Sequence, residues 1–229
     1  MLLVLASRED QDANTLIARL GSGRATLLSS EDLCRSGWLF DPLNPQSGQL
    51  VAGGTKFPQA AVSGVLTRRP HVFEVELMEV AAQDRSYVAA EVNSFLVAWL
   101  SSLHCPVLNR PVGHCLSGPS WSAEEWALLA ASAGLRIRSF NRTLRLNSRP
   151  RRKPKQSTTA EVVTVGERWF GPVDNDLGVA AVRLARAAKV DLLSVRFDKG
   201  AFAGASSLPS LDQDCVLEAV LERIEGKRA

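Results

Sequence analysis

Cysteine is scarce in this chain. Its 229 residues hold four, Cys34, Cys105, Cys115 and Cys215, too few and too scattered for the disulfide framework of a small secreted domain, so reduced thiols are expected. Histidine is scarcer still, at three residues. His104-Cys105 and His114-Cys115 repeat a dipeptide, but the spacing fits neither a zinc ribbon nor a zinc finger, and no metal site is expected from it. The carboxylates Asp174, Asp176 and Asp198 read as a helix cap and a hairpin turn rather than as ligands. Aromatic residues make up only 6% of the chain, with one tyrosine. No apolar run approaches the roughly 20 residues of a membrane span, which excludes a transmembrane helix. The apolar opening Met1–Ala6 has no basic residue before it and meets Arg8, Glu9 and Asp10 at once, unlike a secretory signal. A cytoplasmic protein is the expectation.

What is present is ordinary globular material, 45% hydrophobic and 22% charged. The net charge of +3 conceals an asymmetry. Residues 136–155 hold nine basic side chains and no acidic one, so the rest of the chain, at +3 less nine, sums to −6. An acidic body with one basic strip attracts anions locally. The strip has Phe140 alone for an aromatic, which disfavours the stacking mode of single-strand nucleic-acid binders and leaves a phosphate, a carboxylate or an acidic peptide. A solvated loop is the bland alternative.

Periodicity predicts alternating strands and helices. Residues 2–6 form a continuous apolar run of the kind a strand buried on both faces shows, and 10–20 place Ala13, Leu16, Ile17 and Leu20 on one helical face. Strands at 25–28 and 60–67 follow, with a loop or hairpin at 43–54. Residues 84–103 carry the clearest helical pattern, without Pro or Gly. A short strand is expected at 105–109. Ser122 with Glu125 three residues later marks a capping box for a helix over 123–133 that Gly134 closes. Beyond the basic strip, a hairpin at 160–170, a helix at 178–188, a strand at 191–197, a hairpin turn at 200–204 and a helix at 212–224 are expected.

Four segments together resemble a known family: V-S-G-V-L-T-R-R-P (62–70), the helix opened by Asp84-Arg85-Ser86-Tyr87, C-P-V-L-N-R-P (105–111) and A-S-A-G-L (131–135). Their arrangement is similar to the pre-ATP-grasp domain of the glutamate-ligase and peptide-macrocyclising branch of the ATP-grasp superfamily. The resemblance implies an α/β fold with a Rossmann-like pre-ATP-grasp domain over 1–115. A smaller α+β domain, a truncated ATP-grasp half, would follow over 116–229, with a basic loop at 136–158. V-V-T-V-G-E-R-W-F-G (162–171) and V-D-L-L-S-V-R-F-D (190–198) resemble strands of the catalytic half. Two departures accompany this. Residues 135–161 are too few for the subdomain that clamps adenine and phosphates, and F-A-G-A-S-S-L-P (202–209) stands where the family has a Glu-x-Asn metal pair. Phosphoryl transfer needs magnesium held by oxygen ligands.

The resemblance therefore implies a degenerate ATP-grasp-like protein that binds an acidic small molecule or peptide beside a partner enzyme. An active ATP-dependent carboxylate–amine ligase, with ATP and magnesium as cofactors, is the alternative. The expected ligand-binding residues are Arg68, Arg69, Asn109 and Arg110, at the carboxyl ends of two sheet strands, where open α/β sheets bind ligands. Against that stands pairing of the arginines with Glu74, Glu76 or Glu79. The expected anion- or partner-binding residues are Arg149, Arg151, Arg152 and Lys153.

Overall fold

Leu2–Leu5 forms β1, and all four side chains are buried. Alternation along the strand sends Leu2 and Val4 into one core and Leu3 and Leu5 into another. A strand covered on both faces belongs in the middle of a parallel sheet. In the computed structural model, which describes residues 1–21, 23–138 and 159–226, β1 lies between two parallel neighbours.

The chain leaves β1 into α1 (Gln11–Leu20), capped by Asp10, whose carboxylate accepts from the Ala13 amide at 2.9 Å. It returns as β2 (Ala25–Leu28) and makes the single turn α2 (Ser30–Leu33). The expected loop or hairpin is a hairpin, β3 (Gln49–Ala52) with β4 (Thr55–Pro58). Its turn, Gly53-Gly54, takes φ of +55° and +75°, the left-handed pair a two-residue turn needs. Both glycine amides donate to the buried Asp32 carboxylate, at 3.2 and 2.8 Å, and so tie the hairpin to α2.

The strand β5 covers only Gly64–Thr67, since residues 59–61 form a 3-10 turn in place of the expected strand start. The long helix α3 (Arg85–Ser102) then leads to β6, Val107–Leu108. The sheet order is β2-β1-β5-β6. The side chains of α1 sit with Leu2 and Val4, whereas those of α3, with Leu96, Trp99 and Leu100, sit with Leu3 and Leu5, a doubly wound layout.

Helix α4 (Ala123–Ser132) opens with the expected capping box, the Ser122 hydroxyl accepting from the Glu125 amide and the Glu125 carboxylate from the Ser122 amide. A second sheet follows, built from β7 (Thr159–Val165), β8 (Arg168–Phe170), β9 (Leu192–Asp198) and β10 (Ala201–Ser206) in the antiparallel order β10-β9-β7-β8. Between β8 and β9 runs α5 (Asn175–Ala187), and α6 (Asp214–Ile224) ends the described chain. Two expectations shift. Helix α5 starts at Asn175 rather than 178, with Asp174 as its cap, and residues 201–204, expected as a turn, lie in β10.

One face of this sheet packs Val162, Leu193, Val195, Phe197 and Phe202 against α4 and α5. Gly178 of α5 lies so close to the Trp169 ring that a Cβ there would meet it at 2.2 Å. From the other face Val163, Val165 and Leu192 enter one core with α6 and with Leu2, Val4, Leu66 and Leu108 of the parallel sheet. No described helix is long and apolar enough to cross a membrane.

Candidate functional site

The four residues expected at the rim occupy neighbouring strand ends, because β5 pairs with β6. Their side chains take separate partners. Arg68, 8% exposed, donates to Asp10 at 3.0 Å, to Asp12 at 2.8 Å and to the Pro209 carbonyl at 2.8 Å, clamping the start of α1 to the segment before α6. Arg69, 5% exposed, pairs with Glu76 and donates to the His71 carbonyl at 2.9 Å. Its remaining terminal nitrogen has no partner among the described residues. Burial lowers the Arg69 pKa, and Glu76 opposes that shift.

Asn109 is a junction. Its Oδ1 accepts from the Asp191 and Leu192 amides at 2.9 and 2.8 Å, and its Nδ2 donates to the Leu192 carbonyl at 2.7 Å. A buried side chain on the parallel sheet thus closes the backbone entry to β9. Arg110 is the exposed member, with weak bonds to the carbonyls of Leu103 and Cys105 at 3.3 and 3.4 Å. Arg149, Arg151, Arg152 and Lys153 lie outside the described residues. At the described start of the basic strip, expected as a loop, Ile137 makes an isolated parallel bridge to Phe202 at the β10 edge of the second sheet.

A second group of charges lies on the antiparallel sheet. Ile137 packs with the α4–α5 side, so alternation turns Arg136 and Arg138 to the opposite face. There Arg138 reaches Asp198 at 2.7 Å, and Arg136 donates to the Lys199 carbonyl at 2.7 Å. Arg196 of β9 stands on the same face, between Gly204 of β10 and Glu161 of β7 in the register. The guanidinium lies against Gly204, where a Cβ would meet Nη2 at 2.9 Å. A β-bulge between Phe202 and Gly204 shifts the register at this point, a device that re-aims side chains. Arg196 is exposed and makes no hydrogen bond or ion pair among the described residues, Glu161 included. Sequence reasoning missed Arg196, although an arginine inside the otherwise buried run L-L-S-V-R-F was a visible signal.

Trp121 packs edge-on against Trp126 and lines an open apolar hollow of about 400 Å³ with Leu128 and Leu129. Cys115 is buried and the Cys105 thiol is pushed up by burial, which suits neither to a nucleophile's role.

No family model matches the chain, and no curated protein matches it significantly. Solved structures do. The macrocyclase MdnC of Microcystis aeruginosa MRC, bound with its precursor peptide MdnA, superposes with a TM-score of 0.70 at 11% identity, over 98% of this chain and 99% of that one. The chain has an ATP-grasp-like fold. The macrocyclase MdnB of the same organism gives a TM-score of 0.70 at 13% identity, over 97% and 98%. A RiPP-associated ATP-grasp ligase of Chryseobacterium gregarium, in complex with ADP and a leader and core peptide, gives 0.65 at 12%, over 100% and 97%. The α/β architecture and the likeness to peptide-modifying ATP-grasp proteins are thus properties of the fold.

The fold family implies ATP with magnesium. Magnesium takes oxygen ligands, commonly one or two carboxylates together with the substrate's phosphates and waters. Among the described residues no three His, Cys, Asp or Glu side chains gather into a metal-binding group. Residues 202–206 supply Gly204 and Ser206 rather than carboxylates, and the strand beside them, β9, carries the Arg196 guanidinium and the Asp198 carboxylate.

Proposed function

We propose that this chain is an accessory, peptide-binding protein of a peptide-modification pathway, which holds an acidic segment of its client while a partner enzyme carries out the chemistry. The observation that carries the reading is the charge of the exposed end of one antiparallel face, where Arg136, Arg138 and Arg196 outnumber Asp198 and Glu161. Support for a peptide client comes from the matched folds, of which MdnC and the Chryseobacterium ligase hold precursor or leader peptides. In this reading Arg149, Arg151, Arg152 and Lys153 dock the acidic partner by charge-assisted contacts. Arg110 adds a rim contact, while Arg68, Arg69 and Asn109 set the framework. The setting is the cytoplasm.

Calorimetric titration of ATP with magnesium, followed by an assay for ADP in the presence of a glutamate-rich peptide, tests this. The accessory reading expects no saturable heat at millimolar ATP and no ADP. Saturable binding with peptide-dependent ADP formation would establish the ATP-dependent carboxylate–amine ligase instead.

A further inference from the structure

The exposed half of the antiparallel face carries a fixed cation on β9. Arg196 rests flat against the Gly204 backbone because Gly204 has no Cβ, and the bulge beside it aims that stretch of β10. Nothing among the described residues neutralises this guanidinium. Two residues along the same strand face, Asp198 is nine-tenths buried and gives Oδ2 to Arg138, while its Oδ1 is closed off from solvent and has no partner among the described residues. The face therefore presents an exposed guanidinium on the same side of the sheet as the exposed Arg136 and Arg138.

We infer that Arg196 is the anchor of a metal-independent oxyanion site, which takes the side-chain carboxylate of an acidic peptide directly, on the face that Arg136 and Arg138 also line. This deepens the accessory reading and rests on it. A guanidinium suits the task because its parallel N–H bonds match a carboxylate edge to edge, whereas magnesium would be repelled by it. Inorganic phosphate shares the oxyanion chemistry but is a single compact anion, whereas an acidic peptide brings several carboxylates along the face that Arg136 and Arg138 also line.

The test uses the full chain and a fluorescent hexaglutamate peptide, titrated in EDTA and again with magnesium, against Arg196→Ala and Arg196→Lys. Both substitutions fall on an exposed strand position, and a urea unfolding curve verifies that each variant is folded. The expected result is saturable binding in EDTA that magnesium does not strengthen, with a loss of roughly tenfold or more in Arg196→Ala, the scale of a charged hydrogen-bond pair. Arg196→Lys should fall between, keeping the charge and losing the fork. The inference is overturned if the peptide fails to bind, binds only with magnesium, or is displaced by inorganic phosphate at equal charge concentration. Peptide binding that survives Arg196→Ala removes this site and leaves the accessory reading standing. Peptide-dependent ADP formation removes the accessory reading whatever Arg196 does.

Discussion

Arg68 and Arg196 are the same residue type, each next to the carboxyl-terminal end of a strand, and they have opposite environments. Arg68 has 8% of its side chain exposed and donates to two carboxylates and a carbonyl. Arg196 is exposed and lies on a glycine with no acceptor among the described residues. Burial makes the difference. A desolvated guanidinium must be matched by acceptors within the fold, so a buried arginine holds structure together, while a solvated one stays available for an external anion. A basic residue at a strand end is thus not evidence of a ligand until its partners are counted.

The comparison is sharpest in stability. Arg68→Ala would leave Asp10 and Asp12 half-buried without their cation, and the expected loss is about 3–5 kcal/mol, read as a lower urea midpoint. A loss under about 1 kcal/mol would mean that the clamp is weak. Asn109→Ala comes next. It orphans the Asp191 and Leu192 amides and the Leu192 carbonyl together, for an expected cost of roughly 3 kcal/mol. Hydrogen exchange should locate the damage at the start of β9, and protection unchanged there would contradict the junction role.

Smaller effects follow from the α4 cap. Ser122→Ala should cost about 1 kcal/mol. Hydrogen bonds from the Ser122 amide and hydroxyl hold the Glu125 carboxyl below its usual range. A depressed carboxyl stabilises the fold above its unfolded pKa of about 4.3. That contribution fades as pH falls through the lower folded value. Fraying of the first turn of α4 should therefore set in below pH 4, and a turn equally protected at pH 3 and pH 7 would argue against the cap. The smallest stability effect belongs to Arg196→Ala, within about 0.5 kcal/mol, as for an exposed side chain with no partner.

Much of the fold was legible in the sequence where local pattern and tertiary demand agree. The α3 periodicity, the Ser122–Glu125 capping box and the apolar run of β1 each carry their reason in neighbouring residues. The strand β10 does not. F-A-G-A-S has little β-branched character and reads as a turn, and its strand geometry comes from pairing with β9 across the bulge. Site residues were harder, because partners decide their role. The pairing of Arg69 with Glu76 was among the alternatives, seven residues away. The partners of Arg68, Asp10 and Asp12, lie 58 and 56 positions away, and no spacing rule reaches them. Arg196 was passed over because its strand was read through the carboxylate beside it.

The division between framework and recognition cations is tested most directly by measuring one variant twice, the urea midpoint of Arg196→Ala and its affinity for hexaglutamate in EDTA. The account predicts a midpoint within error of the unaltered protein and an affinity lower by about tenfold or more. A lowered midpoint with the affinity unchanged would make Arg196 another framework residue and contradict the account.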